Sequence, residues 1–316
     1  MALVLDSLTK RFGSVTALDG ISFAVEQGQV FGFLGANGAG KTTTMRIILG
    51  ILRADDGTVT WDGHLSTTLP RRTWGYLPEE RGLYPRMEVL DQLVFFGSLY
   101  GMSRRRAAER AREWLVRFRI PEYERRRAEE LSKGNQQKVQ LIAAILHEPP
   151  VLLMDEPFVG LDPVNVAILK EAFFEMRAEG RTLVFSTHQM EMVEELCESV
   201  VLIDRGRLVI GGPVAEVRRS SGRQVVRLGV DGDHDLSWLA ELDGVTVTRP
   251  GQDYTEMNVG DGRDPESILA AALARGKRVT QFQIADPSIE QIFIERVGRP
   301  PSEDQHLAGQ PVPRAA

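Results

Sequence analysis

One stretch restricts this chain more than any other: Gly35-Ala-Asn-Gly-Ala-Gly-Lys41-Thr42. It follows the apolar run Val30-Phe-Gly-Phe-Leu34 and leads into Thr43-Thr-Met-Arg-Ile-Ile-Leu49, so it reads as strand, glycine-rich loop and helix. Glycine lets backbone wrap closely around an anion, so the N–H groups of Gly35, Ala36, Asn37, Gly38, Ala39 and Gly40 can point inward. The helix that follows presents the positive end of its dipole to the same anion. Lys41 is then placed to reach outer phosphates, and the Thr42 hydroxyl to ligate Mg²⁺. The alternative is a strand-to-helix turn with a lysine by chance, and the rest of the chain decides between them.

At 316 residues there is room for one large domain and a smaller one. A content of 42% hydrophobic and 26% charged residues is that of a globular chain. The net charge of −6 gives no pull towards nucleic acid, and no nucleic-acid partner is expected. The single cysteine, Cys197, excludes an internal disulfide and suits a reducing compartment. Met1-Ala-Leu-Val-Leu5 runs at once into Asp6 and Lys10-Arg11, unlike a secretory leader. The most apolar stretches, Leu93-Val-Phe-Phe96 and Val151-Leu-Leu-Met154, are too short to span a bilayer.

Along the chain, Ala2-Leu-Val-Leu5, Ile21-Ser-Phe-Ala-Val25 and Val30-Phe-Gly-Phe-Leu34 predict strands, with Gly13, Gly20 and Gly28 at turns. Further short strands are expected around residues 57–63 and 75–78. From about residue 89 to 146 the pattern is helical, broken at Pro121, with Val139, Ile142, Ala143 and Leu146 on one face. Val151-Leu-Leu-Met154 then predicts a buried strand. Helix, strand, helix and strand alternate through Leu169-Met176, Thr182-Ser186, Glu191-Cys197 and Val200-Ile203. Such alternation argues for an α/β core with a largely parallel sheet, carrying a helical insertion. A boundary is expected near Arg218-Arg-Ser-Ser-Gly222, followed by a small α+β unit to Val297. The Pro-rich, polar residues 298–316 are expected to be a disordered tail.

Two further segments carry chemistry. Val151-Leu-Leu-Met-Asp-Glu-Pro157 places Asp155 and Glu156 at the carboxyl end of a strand, where ligands bind in open α/β sheets. Asp155 can hold Mg²⁺ together with Thr42, and Glu156 can orient or deprotonate an attacking water. An acidic turn is the plain alternative, which the upstream phosphate loop disfavours. Leu131-Ser-Lys-Gly-Asn-Gln-Gln-Lys138 opens a helix with Ser132 and Gly134, either an ordinary serine cap or a second anion-binding helix start.

The order of phosphate loop, helical insert, Leu-Ser-x-Gly, apolar strand with Asp-Glu, and a strand ending Ser-Thr-His188 resembles the ATPase of ATP-binding cassette (ABC) transporters over residues 1 to about 218. The resemblance implies an α/β fold: a RecA-like P-loop NTPase core with an antiparallel β subdomain and a helical subdomain inserted at about 85–147. Residues 1–219 would form this ATP-binding domain and 222–297 a C-terminal accessory domain. It also implies ATP and Mg²⁺ as cofactors, with residues 35–43, Thr43 included, as the Walker A loop. Asp155 and Glu156 match the Walker B aspartate and the catalytic glutamate, and His188 the switch histidine that contacts the γ-phosphate. Phe12 falls where the family stacks an aromatic ring on adenine, although a core aromatic is the bland reading. Asp162, in Gly160-Leu-Asp-Pro163, matches a dimer-contact loop. Ser132, Gly134 and Asn135 match the signature that binds ATP held by a second protomer, which implies a homodimer.

Two departures from the family pattern stand out. Lys133 and Asn135 replace the usual Gly and Gln of Leu-Ser-Gly-Gly-Gln, and Glu79, in Tyr76-Leu-Pro-Glu-Glu80, stands where a glutamine normally meets Mg²⁺ and water. The clusters Arg104-Arg-Arg106 and Arg125-Arg-Arg127 read as solvated faces, with acidic lipid headgroups as the alternative. Asp286-Pro-Ser-Ile-Glu-Gln-Ile-Phe293 resembles the ending of cassettes that serve a separate export permease of drug or ion type. The expected function is therefore ATP hydrolysis that drives such an exporter, in the cytoplasm on the inner face of the membrane. The competing readings are a cassette ATPase acting on nucleic acid or ribosomes, and a nonhydrolysing ATP-gated scaffold.

Overall fold

The computed structural model describes residues 2–80, 82–231, 237–251, 253–260 and 262–298, and the chain divides into two units that part between Gly212 and Pro213. Elements of the first unit run β1 (Ala2–Phe12), β2 (Val15–Glu26), β3 (Val30–Leu34), α1 (Lys41–Ile48), β4 (Asp56–Trp61), β5 (His64–Leu65), β6 (Trp74–Leu77), α2 (Val89–Leu99), α3 (Arg104–Arg117) and α4 (Lys133–Ile145). They continue with β7 (Val151–Asp155), α5 (Pro163–Ala178), β8 (Thr182–Thr187), α6 (Met190–Leu196), β9 (Ser199–Asp204) and β10 (Arg207–Pro213).

Two sheets result. The antiparallel one has the order β2-β1-β4-β5, and β1 turns Leu3, Leu5 and Leu8 inward. The jump from Leu5 to Leu8 needs an irregularity, supplied by Ser7 at φ +51°, since strict alternation would put Leu8 on the wrong face. Gly20 is not the turn expected from sequence: it lies inside β2 at φ +67°, where the pairing with β1 shifts. The second sheet has the order β10-β9-β3-β8-β7-β6, with β9 through β6 parallel. Strands β3, β7 and β8 are buried at every residue, which is why they read as continuous apolar runs. Phe31, Phe33, Met45, Ile48, Trp61 and Leu153 belong to one core cluster that joins both sheets and α1. β10 was not foreseen, because it is half-exposed and interrupted by Gly211-Gly212.

In the helical insert, α3 buries Ala107, Ala111, Trp114 and Leu115 on one stripe, and Trp114 stacks on Phe118 at 5.6 Å. Its basic face is exposed and ion-paired, Arg105 with Glu109 and Arg106 with Glu148, as a solvated face would be.

The second unit comprises α7 (Val214–Arg219), β11 (Gln224–Val230), β12 (Val245–Arg249), β13 (Thr255–Val259), α8 (Glu266–Ala274), β14 (Val279–Ala285) and α9 (Ile289–Val297). Its antiparallel sheet has the order β12-β13-β11-β14. One face, with Val226, Leu228, Met257 and Val259, packs on Leu239, Ile268 and Ala272. Helix α9 starts with a capping box of Ser288 and Gln291, and the Gln291 amide also donates to Glu256 at 2.9 Å. The tail expected to be disordered lies, beyond Gly298, outside the described residues. Among the described residues no helix is long and apolar enough to cross a membrane.

Candidate functional site

The loop between β3 and α1 is shaped by close backbone approaches. A Cβ on Gly35 would sit 2.6 Å from the Ile203 carbonyl, and one on Gly40, at φ +112°, 2.7 Å from the Ala17 carbonyl. The Ala39 N–H donates to the Ala36 carbonyl at 3.1 Å, and the Gly206 N–H to the Ala39 carbonyl at 3.0 Å. Lys41 is buried, and its Nζ donates to the carbonyls of Gly35 at 2.7 Å and Ala36 at 3.3 Å.

Strand β8 lies between β3 and β7, so the carboxylates that end β7 reach the loop across one intervening strand. Asp155 is 1% exposed. Its Oδ2 accepts from Thr42 Oγ1 at 2.6 Å, and its Oδ1 accepts from the Ser186 hydroxyl. Glu156 stands at φ +51°, a left-handed conformation rare for a non-glycine residue. Its Oε1 lies 3.5 Å from Lys41 Nζ and 3.0 Å from His188 Nδ1, while its buried Oε2 has no hydrogen-bond partner. The hydrogen bond that His188 donates to Glu156 raises the His188 pKa, against an opposing effect of burial. Glu79 is pushed up as well, first by burial and then by the neighbouring charges of Asp155 and Glu156.

A cavity of about 230 Å³ collects these groups. Ala36, Asn37, Gly38, Gly40, Lys41, Thr42, Thr43, Glu79, Asp155 and Glu156 line it, together with Ala17. Its donors suit Mg²⁺. Among the described residues no group of three or more His, Cys, Asp or Glu could hold a metal by itself. A hydroxyl and one or two carboxylates beside a phosphate loop are nevertheless what Mg²⁺ uses, since it keeps waters and takes phosphate oxygens as its other ligands.

Eight predicted residues do not line this cavity: Gly35, Ala39 and His188 contact residues that do, and Phe12, Ser132, Gly134, Asn135 and Asp162 lie elsewhere. Phe12, at the end of β1, is 44% exposed and so is not a core aromatic; Lys10 Nζ lies 5.4 Å from its ring centre. Ser132 caps α4 by accepting from the Asn135 N–H at 3.3 Å. Asp162 caps α5, accepting from the N–H and the side-chain amide of Asn165 at 2.9 and 2.6 Å, which holds its carboxyl below the usual range. The same Asn165 amide packs over Gly134, where a Cβ would sit 2.8 Å from its nitrogen, so the two helix starts are adjacent.

Sequence reasoning gave no role to three residues that organise this region. Ser186 bonds Asp155, Asn165 joins Asp162 to Gly134, and Gln140 on α4 donates to the carbonyls of Pro78 and Glu80 at 3.1 and 3.0 Å, bracketing Glu79. A hydroxyl at the end of an apolar strand was the visible signal for Ser186; nothing local marked the other two.

Residues 18–159 match the family described as ABC transporter, and residues 212–297 match the family described as ATP-binding protein DrrA1-3-like, C-terminal domain. An uncharacterized ABC transporter ATP-binding protein, YhaQ of Bacillus subtilis (strain 168), is 44% identical over 94% of this chain and 98% of its own length. The Nod factor export ATP-binding protein I of Rhizobium sp. (strain N33) is 32% identical over 95% of this chain and 98% of its own length. A solved structure titled as the ATP-binding subunit of an ABC transporter superposes with a TM-score of 0.66 at 32% identity, covering 70% of this chain and 94% of that one.

Proposed function

The chain belongs to the ATP-binding proteins of ABC transporters, and from that premise we propose that it drives an exporter whose membrane-spanning permease is a separate chain. As a family member it binds ATP with Mg²⁺ and hydrolyses it. The observation that carries the export reading is the near full-length similarity to an export ATP-binding protein, accessory domain included.

The residues work as follows. Lys41 exchanges its two carbonyl partners for β- and γ-phosphate oxygens, which form stronger, charge-assisted bonds. Thr42, Asp155 and Glu79 hold Mg²⁺, which when bound neutralises charge on the outer phosphates. Glu156 takes a proton from the attacking water; its free Oε2 leaves one acceptor unengaged for that purpose. His188 orients Glu156 through Nδ1 and offers its other ring nitrogen to the γ-phosphate. Phe12 stacks on adenine. Ser132, Gly134, Asn135 and Asp162 act on ATP held by a second copy, so turnover requires the homodimer. Exposed Tyr84 and Phe95, in contact with Phe96 on the helical insert, offer an apolar aromatic surface to a permease on the inner face of the membrane.

Purification of the tagged full chain from detergent-solubilised membranes tests the assembly. The expected product is two copies of this chain with an integral membrane protein whose presence stimulates ATP hydrolysis. Isolation with ribosomes and no membrane protein overturns it. Direction is tested in the host: loss of the chain, or Glu156→Gln, should cause retention of a toxic compound. Lost uptake of a nutrient with normal efflux sinks the export reading.

A further inference from the structure

Strand β8 reads Thr182-Leu-Val-Phe-Ser-Thr187 and is buried along its whole length, with Ser186 fully enclosed. A buried hydroxyl is costly unless bonded, and this one is bonded at both ends of its capacity. Ser186 is in register with Asp155 of β7 on one side and Phe33 of β3 on the other. Its Oγ donates to Asp155 Oδ1 and accepts from the Glu156 N–H at 3.2 Å. That same N–H also reaches the Ser186 carbonyl at 3.1 Å. One side chain therefore touches both acidic residues at the mouth of the sheet.

The consequence for Asp155 is geometric. Thr42 holds Oδ2 at 2.6 Å and Ser186 holds Oδ1, so the carboxylate is clamped against rotation by a hydroxyl on either side. The consequence for Glu156 is conformational. Its backbone sits at φ +51°, a conformation that persists only where its surroundings enforce it, and its N–H is secured by both oxygens of Ser186. Neither effect needs Ser186 to touch nucleotide.

We propose that Ser186 is a positioning residue for hydrolysis, its hydroxyl aligning Asp155 for Mg²⁺ and holding the Glu156 backbone in its left-handed turn. The inference rests on the reading that Asp155 holds the metal. Partners behind a metal ligand typically affect metal affinity by roughly 10- to 100-fold. The test uses the full chain as Ser186→Ala, Ser186→Thr and Asp155→Asn. Mg²⁺ affinity is measured by calorimetry with saturating ADP, alongside ADP affinity in chelator, kcat and the melting temperature. Ser186→Ala should weaken Mg²⁺ binding by roughly tenfold or more and lower kcat, with Mg²⁺-free ADP affinity unchanged. Ser186→Thr should recover both. The proposal is overturned by unchanged Mg²⁺ affinity in Ser186→Ala, or by equal defects in the alanine and threonine variants at equal melting temperatures. Asp155→Asn separates the two levels. If it leaves Mg²⁺ affinity intact, the metal reading falls and Ser186 with it; if it weakens Mg²⁺ while Ser186→Ala does not, Ser186 alone falls.

Discussion

Glu156 pairs a strained backbone with an unshared carboxylate oxygen, the arrangement expected of a base that waits for its proton donor. Glu156→Gln keeps the shape and removes the basicity. It should lower kcat by about 100-fold or more while ATP still binds, and intact steady-state phosphate release would refute the assignment. Glu79 is a different case. Burial first, and then the charges of Asp155 and Glu156, raise its pKa, and Glu79→Gln removes charge while keeping an oxygen ligand. That variant should retain ATP hydrolysis; abolished turnover would give the carboxylate a role of its own. His188 links the site to pH. Its folded pKa is raised above the ordinary 6.5 by Glu156, so the pair's stabilisation is complete below about pH 6.5 and is lost as pH rises through the folded value. His188→Gln should therefore flatten the melting temperature against pH above that point, and an unchanged profile would remove the linkage.

At the level of elements, the phosphate loop separates two reasons for glycine. Gly38, at φ +81°, has open space around its missing Cβ, so Gly38→Ala meets conformational strain alone, about 1–2 kcal/mol. Gly40 adds contact with the Ala17 carbonyl and a Leu18 methyl, both at 2.7 Å, and backbone cannot yield cheaply. Gly40→Ala should lower the melting temperature and ADP affinity more than Gly38→Ala; the reverse order would mean the loop is held less tightly than it looks. Gln140 does comparable work between elements. It ties α4 to the carbonyls on either side of Glu79, so that helix and the Glu79 segment are mechanically joined. Truncation to alanine removes both bonds, each worth about 0.5–1.5 kcal/mol, since the carbonyls of half-buried Pro78 and exposed Glu80 can take water instead.

For the molecule as a whole, the site residues fall into two groups within one chain. Those around Lys41 share a cavity, and those around Ser132 and Asp162 share the junction of two helix starts held by Asn165. Composite sites between two copies are the economical use of such halves. Glu156→Gln with Mg-ATP should run as a dimer by light scattering and as a smaller species with ADP; a single mass in both conditions would count against an ATP-bridged pair.

What the sequence alone determined is what contiguous residues encode. The loop Gly35-Ala-Asn-Gly-Ala-Gly-Lys41-Thr42 carries its own turn chemistry, the fully buried strands carry unbroken apolar runs, and the order of motifs along the chain identified the family. Short-range backbone preference and periodicity are local, so they survive in one dimension. Tertiary structure decided the rest. Whether Gly20 makes a turn or a bulge depends on its partner strand; so does the insertion of β8 between β3 and β7, which brings Ser186 against Asp155. The clasps of Gln140 and Asn165 join segments distant in the chain, and the upward pull on Glu79 comes from burial and from Asp155 and Glu156, far along the sequence. Desolvation and hydrogen bonding depend on distance in space, and folding alone sets those distances.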